Sequence, residues 1–432
     1  MNSAHDPHET RRFALEIVQR LRSAGYEALW AGGCVRDQLL GQTPKDYDVA
    51  TSATPREIRE VFGFRHTLPL GAAFGVITVL GKRRACPVEV ATFRQDAQYS
   101  DGRHPDAVTF SSAAEDAKRR DFTINGMFYD PLAEQVVDYV GGQEDLQAGV
   151  VRAIGDPRAR FNEDKLRMLR AVRFAATFHF ALEPATLAAI QQLAAEIVIV
   201  SAERIAAEMR RIFPHRNRRR GVELLSVTRL LPILLPELQS LDPEADGAAD
   251  ETARRTWSTT LERIQLLEDP TFSTVLAALV RDVVRNREDA AATVHNLCDR
   301  WRLSNDERDR VAWLLESEPV ASSARSLPWP VVQRLLVEDG IGELLTYLEG
   351  VLQAEHRSLD DVAFCRAKLA LPAAELNPPP LLTGNDLRQA GWQPGPQFRV
   401  WLQAVRDAQL ERRIGTRDEA LALVRTLAAG PI

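Results

Sequence analysis

Over roughly the first 150 residues, stretches with a two-residue apolar period interrupt stretches with a helical one. Beyond that point, helical spacing dominates. Residues 9–24 place Phe13, Ile17, Val18 and Leu21 on one helical face. AGYEALWAGG (24–33) reads as a short strand running into a glycine turn, and VRDQLLG (35–41) as a helix that Gly41 stops. KDYDVATSA (45–53) alternates as a strand, and SATPREIREVF (52–62) starts a helix with Pro55 at its first position. GVITVLG (75–81) and PVEVATFR (87–94) are two further strands, and FTINGMFYD (122–130) reads as a strand or strand start. Strands alternating with helices predict an α/β or α+β unit here. From residue 162 to 178 the pattern is helical, and the Ala-, Leu-, Arg- and Glu-rich remainder follows suit. Breaks at Phe213-Pro214, 240–253, 326–330 and 376–386 divide the helical part, and no fixed-period repeat is found.

Composition narrows the class. A chain of 432 residues holds two to four domains, and 45% hydrophobic with 26% charged residues is ordinary for a globular protein. The formal net charge of −6 does not announce a nucleic-acid binder, so such a function would need local basic patches. Cys34, Cys86, Cys298 and Cys365 lie far apart, with no CxxC pair, which argues against a disulfide framework or structural zinc. The polar N-terminus is no signal peptide, and no apolar run approaches the roughly 20 residues that span a bilayer. A cytoplasmic protein without membrane contact is expected.

The chemistry concentrates in a few stretches. Asp46 and Asp48 sit at i and i+2, so on a strand they share a face and offer the hard oxygen ligands that magnesium prefers. Glu89, on another predicted strand between Val88 and Val90, is a third acid. Three carboxylates on neighbouring strands can hold two magnesium ions for an in-line phosphoryl displacement. Taken alone, D-Y-D reads better as a solvated turn, and the neighbouring glycines change that balance. Gly32 and Gly33 close a strand and open a helix, a place that holds phosphate or is simply a tight turn. Arg36, one turn inside, is either a triphosphate fork or a surface arginine. RRDFTIN brings Arg119, Arg120 and Asp121 ahead of a polar Asn125 in an apolar segment. In RFNEDKLRMLRAVRF (160–174), helical spacing puts Asp164, Arg167, Arg170 and Arg173 along one face. That pattern is an amphipathic helix with an ion pair, or a ladder that wants an anionic ligand.

Taken together, GG-C-VRD, KDYDVATSATP, VEVATFR, RRDFTINGM and EDKLRMLRAVRF resemble the class II tRNA nucleotidyltransferases and bacterial poly(A) polymerases, with SAERIAAEM (201–209) similar to the motif that closes their neck. The motifs span residues 27–210 in the family's order. The resemblance implies an α+β head of the polymerase-beta-like nucleotidyltransferase type, followed by all-α neck, body and tail domains in a seahorse-like molecule. The expected parts are a head at 1–150, a neck at 151–213, a body at 214–328 and a tRNA-binding tail at 329–432. It implies that Asp46 and Asp48 bind catalytic Mg2+, with Glu89 as third acid. Gly32 and Gly33 lie in the glycine turn, where Gly33 with Arg36 would contact nucleotide phosphates. Arg120 would bind the incoming nucleotide, and Asp121 and Asn125 would shape the ribose and triphosphate site. Asp164 and Arg167 would read the base of CTP or ATP, supported by Arg170 and Arg173. The partners implied are tRNA, CTP and ATP, and a monomer or weak dimer is expected.

Residues 93–110 resemble the flexible loop of CCA- and A-adding members, which disfavours a pure CC-adding role. Residues 381–421, with turns at Gly384, Pro394, Gly395 and Pro396, resemble a tRNA nucleotidyltransferase tail. HRNRRRG (215–221) is a basic run that could meet tRNA phosphates or stand unpartnered. Residues 256–286 resemble an HD phosphohydrolase domain in which Trp257 stands near the position of a histidine and Arg281-Asp282 where a His-Asp pair is required, so that activity is not expected. The reading is C, C and A addition to tRNA, with A-only addition or poly(A) tailing as the alternative.

Overall fold

The computed structural model describes residues 6–81, 86–96, 108–244, 250–283 and 287–429. Contacts divide the chain into two units, Met1–Asp250 and Glu251–Ile432, and the division falls in the polar 240–253 stretch.

The first unit is built on a seven-stranded sheet. Its strands are β1 (Ala28–Ala31), β2 (Asp48–Thr51), β3 (Thr67–Gly71), β4 (Val76–Val79), β5 (Val88–Thr92), β8 (Phe128–Asp130) and β9 (Gln135–Val137). A separate pair, β6 (Arg94–Asp96) and β7 (Val108–Phe110), flanks residues 97–107, so most of the loop expected at 93–110 lies outside the described residues. The order is β3-β4-β5-β2-β1-β8-β9, and within this sheet β2 and β5 run parallel while the other described neighbours pair antiparallel. One face is sealed by the helices Pro7–Ser23 and Pro55–Phe62, which bury Ile17, Leu21 and Ile58 with Val49, Ile77 and Val90. Asp6 caps the first helix. Thr54 and Glu57 form a capping box on the second, with Pro55 at N1 as its sequence predicts. On the other face Leu29, Ala31, Ala50 and Phe128 bury Ala113 and Ala117 of the helix Ala113–Lys118. That cover stops short of the sheet positions of Asp48 and Glu89, both of which stay exposed.

Three local expectations change. Strand β3 is not foreseen by its pattern, because Pro69 within it removes a ladder donor. The strand is tolerated at the sheet edge, where that donor faces no neighbour. The FTIN of residues 122–125 is not strand: Phe122 makes only an isolated bridge to Ala153, Thr123–Asn125 form a 3-10 turn, and the strand begins at Phe128. The helix read over 162–178 is two helices, Pro157–Glu163 and Leu166–Phe178, because Asp164 turns to an extended φ of −152°. The second of these packs against Ala202–Ile212 and Arg218–Val227. Arg218 of the basic 215–221 run is buried and donates to the Phe213 carbonyl at 3.1 Å, so that run is not wholly a surface loop.

The second unit is helical. Glu251–Leu266, Phe272–Val280, Asn305–Ala321 and Ile341–Ala354 pack together around Leu261, Val275, Leu279, Leu314 and Leu348. Toward the C-terminus, Gly384–Gln389, Pro396–Leu410 and Arg417–Ala428 share a small core of Leu387, Val405 and Val424. All four cysteines are free thiols, and among the described residues no helix is long and apolar enough to cross a membrane.

Candidate active site

Register alone brings the acids together. Asp48 opens β2 and is paired in the parallel ladder with Glu89 of β5. Asp46 precedes the strand, and the burial sequence exposed–buried–exposed over Asp46, Tyr47 and Asp48 puts both aspartates outward. Tyr47 points in, its ring 4.8 Å from that of Trp30. The surrounding protein strips hydration from the Asp48 carboxyl and pushes its pKa up to about 6, with Glu89 and Asp46 adding like charge against the opposing pull of Arg120. Among the described residues no three His, Cys, Asp or Glu side chains form a ready-made ligand cluster. Asp46, Asp48 and Glu89 nevertheless have the chemistry of a divalent-cation site: they are hard oxygen donors, and Asp48 and Glu89 are register neighbours on one face of the sheet.

Beside Asp48 opens a cleft of about 670 Å³. Eight arginines line it (Arg36, Arg119, Arg120, Arg167, Arg170, Arg173, Arg204 and Arg211) against three aspartates, Asp48, Asp121 and Asp164. Gly32 and Gly33 form its floor where β1 turns into the helix Gly33–Leu39. Gly32 has φ +71°, a conformation that favours glycine, and a Cβ there would stand 3.1 Å from Arg120 Nη1, so any side chain would press on that guanidinium.

Most of the arginines are held by an acid placed beside or behind them. Asp116, only 2% exposed, pairs with Arg119 at 2.7 Å and Arg120 at 3.0 Å. Burial would raise the Asp116 carboxyl, but the two guanidiniums outweigh it and the pKa falls below the ordinary value. Arg36 donates to Asn125 Oδ1 at 2.5 Å and Asp37 Oδ1 at 2.7 Å, and lies over the Phe178 ring. Asn125 in turn donates to Asp121 Oδ1 at 3.1 Å, and Asp121 takes Arg170 Nη2 at 2.5 Å and Nε at 2.8 Å. Burial alone would raise Asp121, yet Arg170, Asn125 and Arg167 hold its pKa near about 2. Glu208, 4% exposed, meets Arg173 at 3.0 Å and Arg211 at 3.6 Å. Burial, opposed by Glu208 but reinforced by Arg170 and Arg211, brings Arg173 down to about 10, still charged at neutral pH.

Asp164 and Arg167 both face the cleft but do not pair as the helical spacing suggests. Asp164 lies outside the helix, accepts the Leu166 N–H at 3.0 Å, and is gripped by Arg204 at 2.6 and 3.1 Å. Arg167 is anchored instead by Glu163 and donates to the Arg160 carbonyl at 3.0 Å. The two side chains therefore stand as an acceptor and a donor with separate supports.

All the candidate residues converge on this region, with Asp46 and Glu89 on the sheet face next to the cleft. Asp116, Glu163, Arg204 and Glu208 escaped the sequence reading. Asp116 had a signal, its i+3 and i+4 spacing to Arg119 and Arg120. Arg204 and Glu208 lie in SAERIAAEM but had no visible partner in sequence.

Residues 28–152 match the family described as the poly A polymerase head domain, and residues 179–241 the one described as the probable RNA and SrmB-binding site of polymerase A. The CCA-adding enzyme of Lacticaseibacillus paracasei is 34% identical over 406 residues, covering 93% of this chain and 91% of its own. That of Levilactobacillus brevis is 34% identical over 410 residues, covering 92% and 93%. A solved Bacillus stearothermophilus CCA-adding enzyme in complex with CTP superimposes with a TM-score of 0.72 at 28% identity, covering 98% of each chain. A Thermotoga maritima CCA-adding enzyme complexed with tRNA shares the fold, with a TM-score of 0.66 at 20% identity over 99% of this chain and 97% of that one.

Proposed function

This chain belongs to the family of CCA-adding enzymes, and we propose that its arginine cleft and carboxylate row together extend the 3′ end of tRNA by C, C and A from CTP and ATP. The observation that carries this reading is the pair Asp164 and Arg167, an acceptor and a donor held separately by Arg204 and Glu163 in the lining of a cationic cleft. Cytosine and adenine each present an amino donor next to an acceptor nitrogen, which suits that pair. Uracil and guanine present the reverse, and would leave the half-buried Asp164 carboxylate and the buried Arg167 guanidinium facing like partners.

Arg120 and Arg170, with Arg36 and Arg173 behind them, receive the triphosphate over the Gly32-Gly33 turn. Asp121 and Asn125 hold Arg170 and Arg36 in place and shape the ribose pocket. Because these cations are already oriented by acids, little reorganisation is needed as charge moves to the leaving pyrophosphate. Asp46, Asp48 and Glu89 provide the oxygen donors for magnesium, which when bound neutralises the reacting phosphate and lowers the pKa of the attacking 3′-hydroxyl. The head (1–150) and neck (151–213) thus carry chemistry and base choice, while the body (214–328) and tail (329–432) hold the tRNA.

The test is incubation with magnesium and a tRNA transcript lacking CCA, with CTP, ATP or both, and product sizing at single-nucleotide resolution. Three additions with both nucleotides and two with CTP alone are expected. Extension only of tRNA already ending in CC, and only with ATP, would make the protein an A-adding enzyme. Long A tails would move it to the poly(A) polymerases.

A further inference from the structure

The nucleotide cleft occupies only one flank of the carboxylates. Its sheet contribution comes from the β1 and β8 side: Gly32 after β1, Asn125 before β8, and Asp48 at the boundary. Glu89 is not among its walls. On the other flank the register runs Asp48–Glu89–Thr78–Leu68 across β2, β5, β4 and β3. Residues in register share a face, so the row that starts with the catalytic acids ends in an apolar side chain. Leu68 is 40% exposed and Leu70, two residues further along the same edge strand, is 85% exposed. Phe74 and Phe110 follow, also exposed. The Phe110 ring edge lies 3.5 Å from where a Cβ on Gly75 would stand, which places it over the turn that leads into β4.

An apolar shelf next to a magnesium-type site and an arginine cleft is out of place for nucleotide phosphates. Nor is it an invitation to another strand: Pro69 removes the donor between Leu68 and Leu70, and the register shifts between Leu68 and Gly71. In-line displacement requires the attacking hydroxyl on the side of the acids opposite the leaving group. Resting on the function proposed above, we infer that Leu68, Leu70, Phe74 and Phe110 form the platform on which the unpaired 3′-terminal nucleotide of the RNA acceptor end stacks. It would present its 3′-hydroxyl to Asp48 and Glu89. Unpaired RNA bases stack on apolar and aromatic side chains whatever their identity, as a site that must accept a changing 3′ terminus needs.

Leu70→Ser and Phe110→Ala, singly and combined, test this on the full chain with tRNA lacking CCA. The combined variant should raise KM for the tRNA about tenfold, the scale of one lost base stack. KM for CTP and kcat should stay within about twofold, and the melting temperature should be unchanged. An unchanged tRNA KM, or a CTP KM that rises in step, would overturn the platform. Photocrosslinking from a 4-thiouridine placed at the tRNA 3′ end reads the same contact without turnover. Crosslinks to residues 68–74 or 110 are expected, and crosslinks confined to the arginine cleft would refute it. If the wild-type protein bound and crosslinked at the shelf yet added nothing, the proposed function would fail and the platform would stand.

Discussion

The arginine cleft of the first unit and the core of the second unit are both built from arginines paired with acids, and they end in opposite states. In the second unit Arg263 is 1% exposed, donating to the Ala278 carbonyl at 3.0 Å and to Asp282 at 2.9 Å. Arg281 is divided among Asp282, Glu318 and Glu355, and the Tyr347 hydroxyl donates to Glu318 at 2.8 Å. Burial would lower the Arg281 pKa, but Glu318 and Glu355 raise it beyond the ordinary value, while burial and Glu318 raise the Tyr347 hydroxyl well above its own. The acids surround the guanidinium. In the cleft, acids sit beside or behind the arginines and leave one side of them open. The difference teaches that the arginine-acid pair is neutral as to role: acids on every side make a core, and acids on one side make a prepared anion site.

The largest effect should separate chemistry from folding. Asp48→Ala is expected to lower turnover roughly 10³-fold or more, with tRNA binding nearly intact and the melting temperature unchanged or slightly higher, since a raised carboxyl beside two like charges is relieved. Comparable turnover in a gel-based addition assay would remove Asp48 from the site.

Glu318→Ala should do the reverse. It leaves a buried Tyr347 hydroxyl and a partly uncompensated Arg281, costing about 3 kcal/mol in urea unfolding. Refolded protein under native conditions should keep its nucleotide selectivity. A stability loss below about 0.5 kcal/mol would mean that the network is not a core element.

Arg167→Ala should relax the choice against UTP and GTP by roughly 10²-fold, because the donor edge is lost. Arg204→Ala should act in the same direction through Asp164, more weakly, with KM for CTP and ATP rising while binding of a bare triphosphate does not change. Selectivity identical to wild type in competition assays would leave Asp164 and Arg167 without the reading role.

The smallest effect is a pH slope. Asp121 sits near about 2 in the fold against an ordinary 3.8. Folding therefore favours its ionised form, and its contribution is complete above about pH 4 and lost as pH falls toward 2. Asp121→Asn should flatten that acid limb by about 2 kcal/mol in pH-dependent denaturation. A limb of equal depth in the variant would assign the acid sensitivity to other carboxylates.

What the sequence determined by itself was local. The two-residue period around Asp48 and Glu89, the Thr54-Pro55 helix start and the glycine pair after β1 depend on neighbours within a few residues, and each was legible there. The break at Asp164 was hidden: no Pro or Gly marks it, and its only trace is an aspartate able to cap Leu166. Only the tertiary structure decided the pairings. Asp164 meets Arg204 40 residues away and Asp121 meets Arg170 49 residues away, because helix packing sets which guanidinium reaches which acid. The edge strand β3 and its exposed leucines likewise gain meaning only through a register that ties them to Asp48 and Glu89. An ion pair or a sheet row is a relation between distant positions, and a single sequence specifies its members without specifying which of them meet.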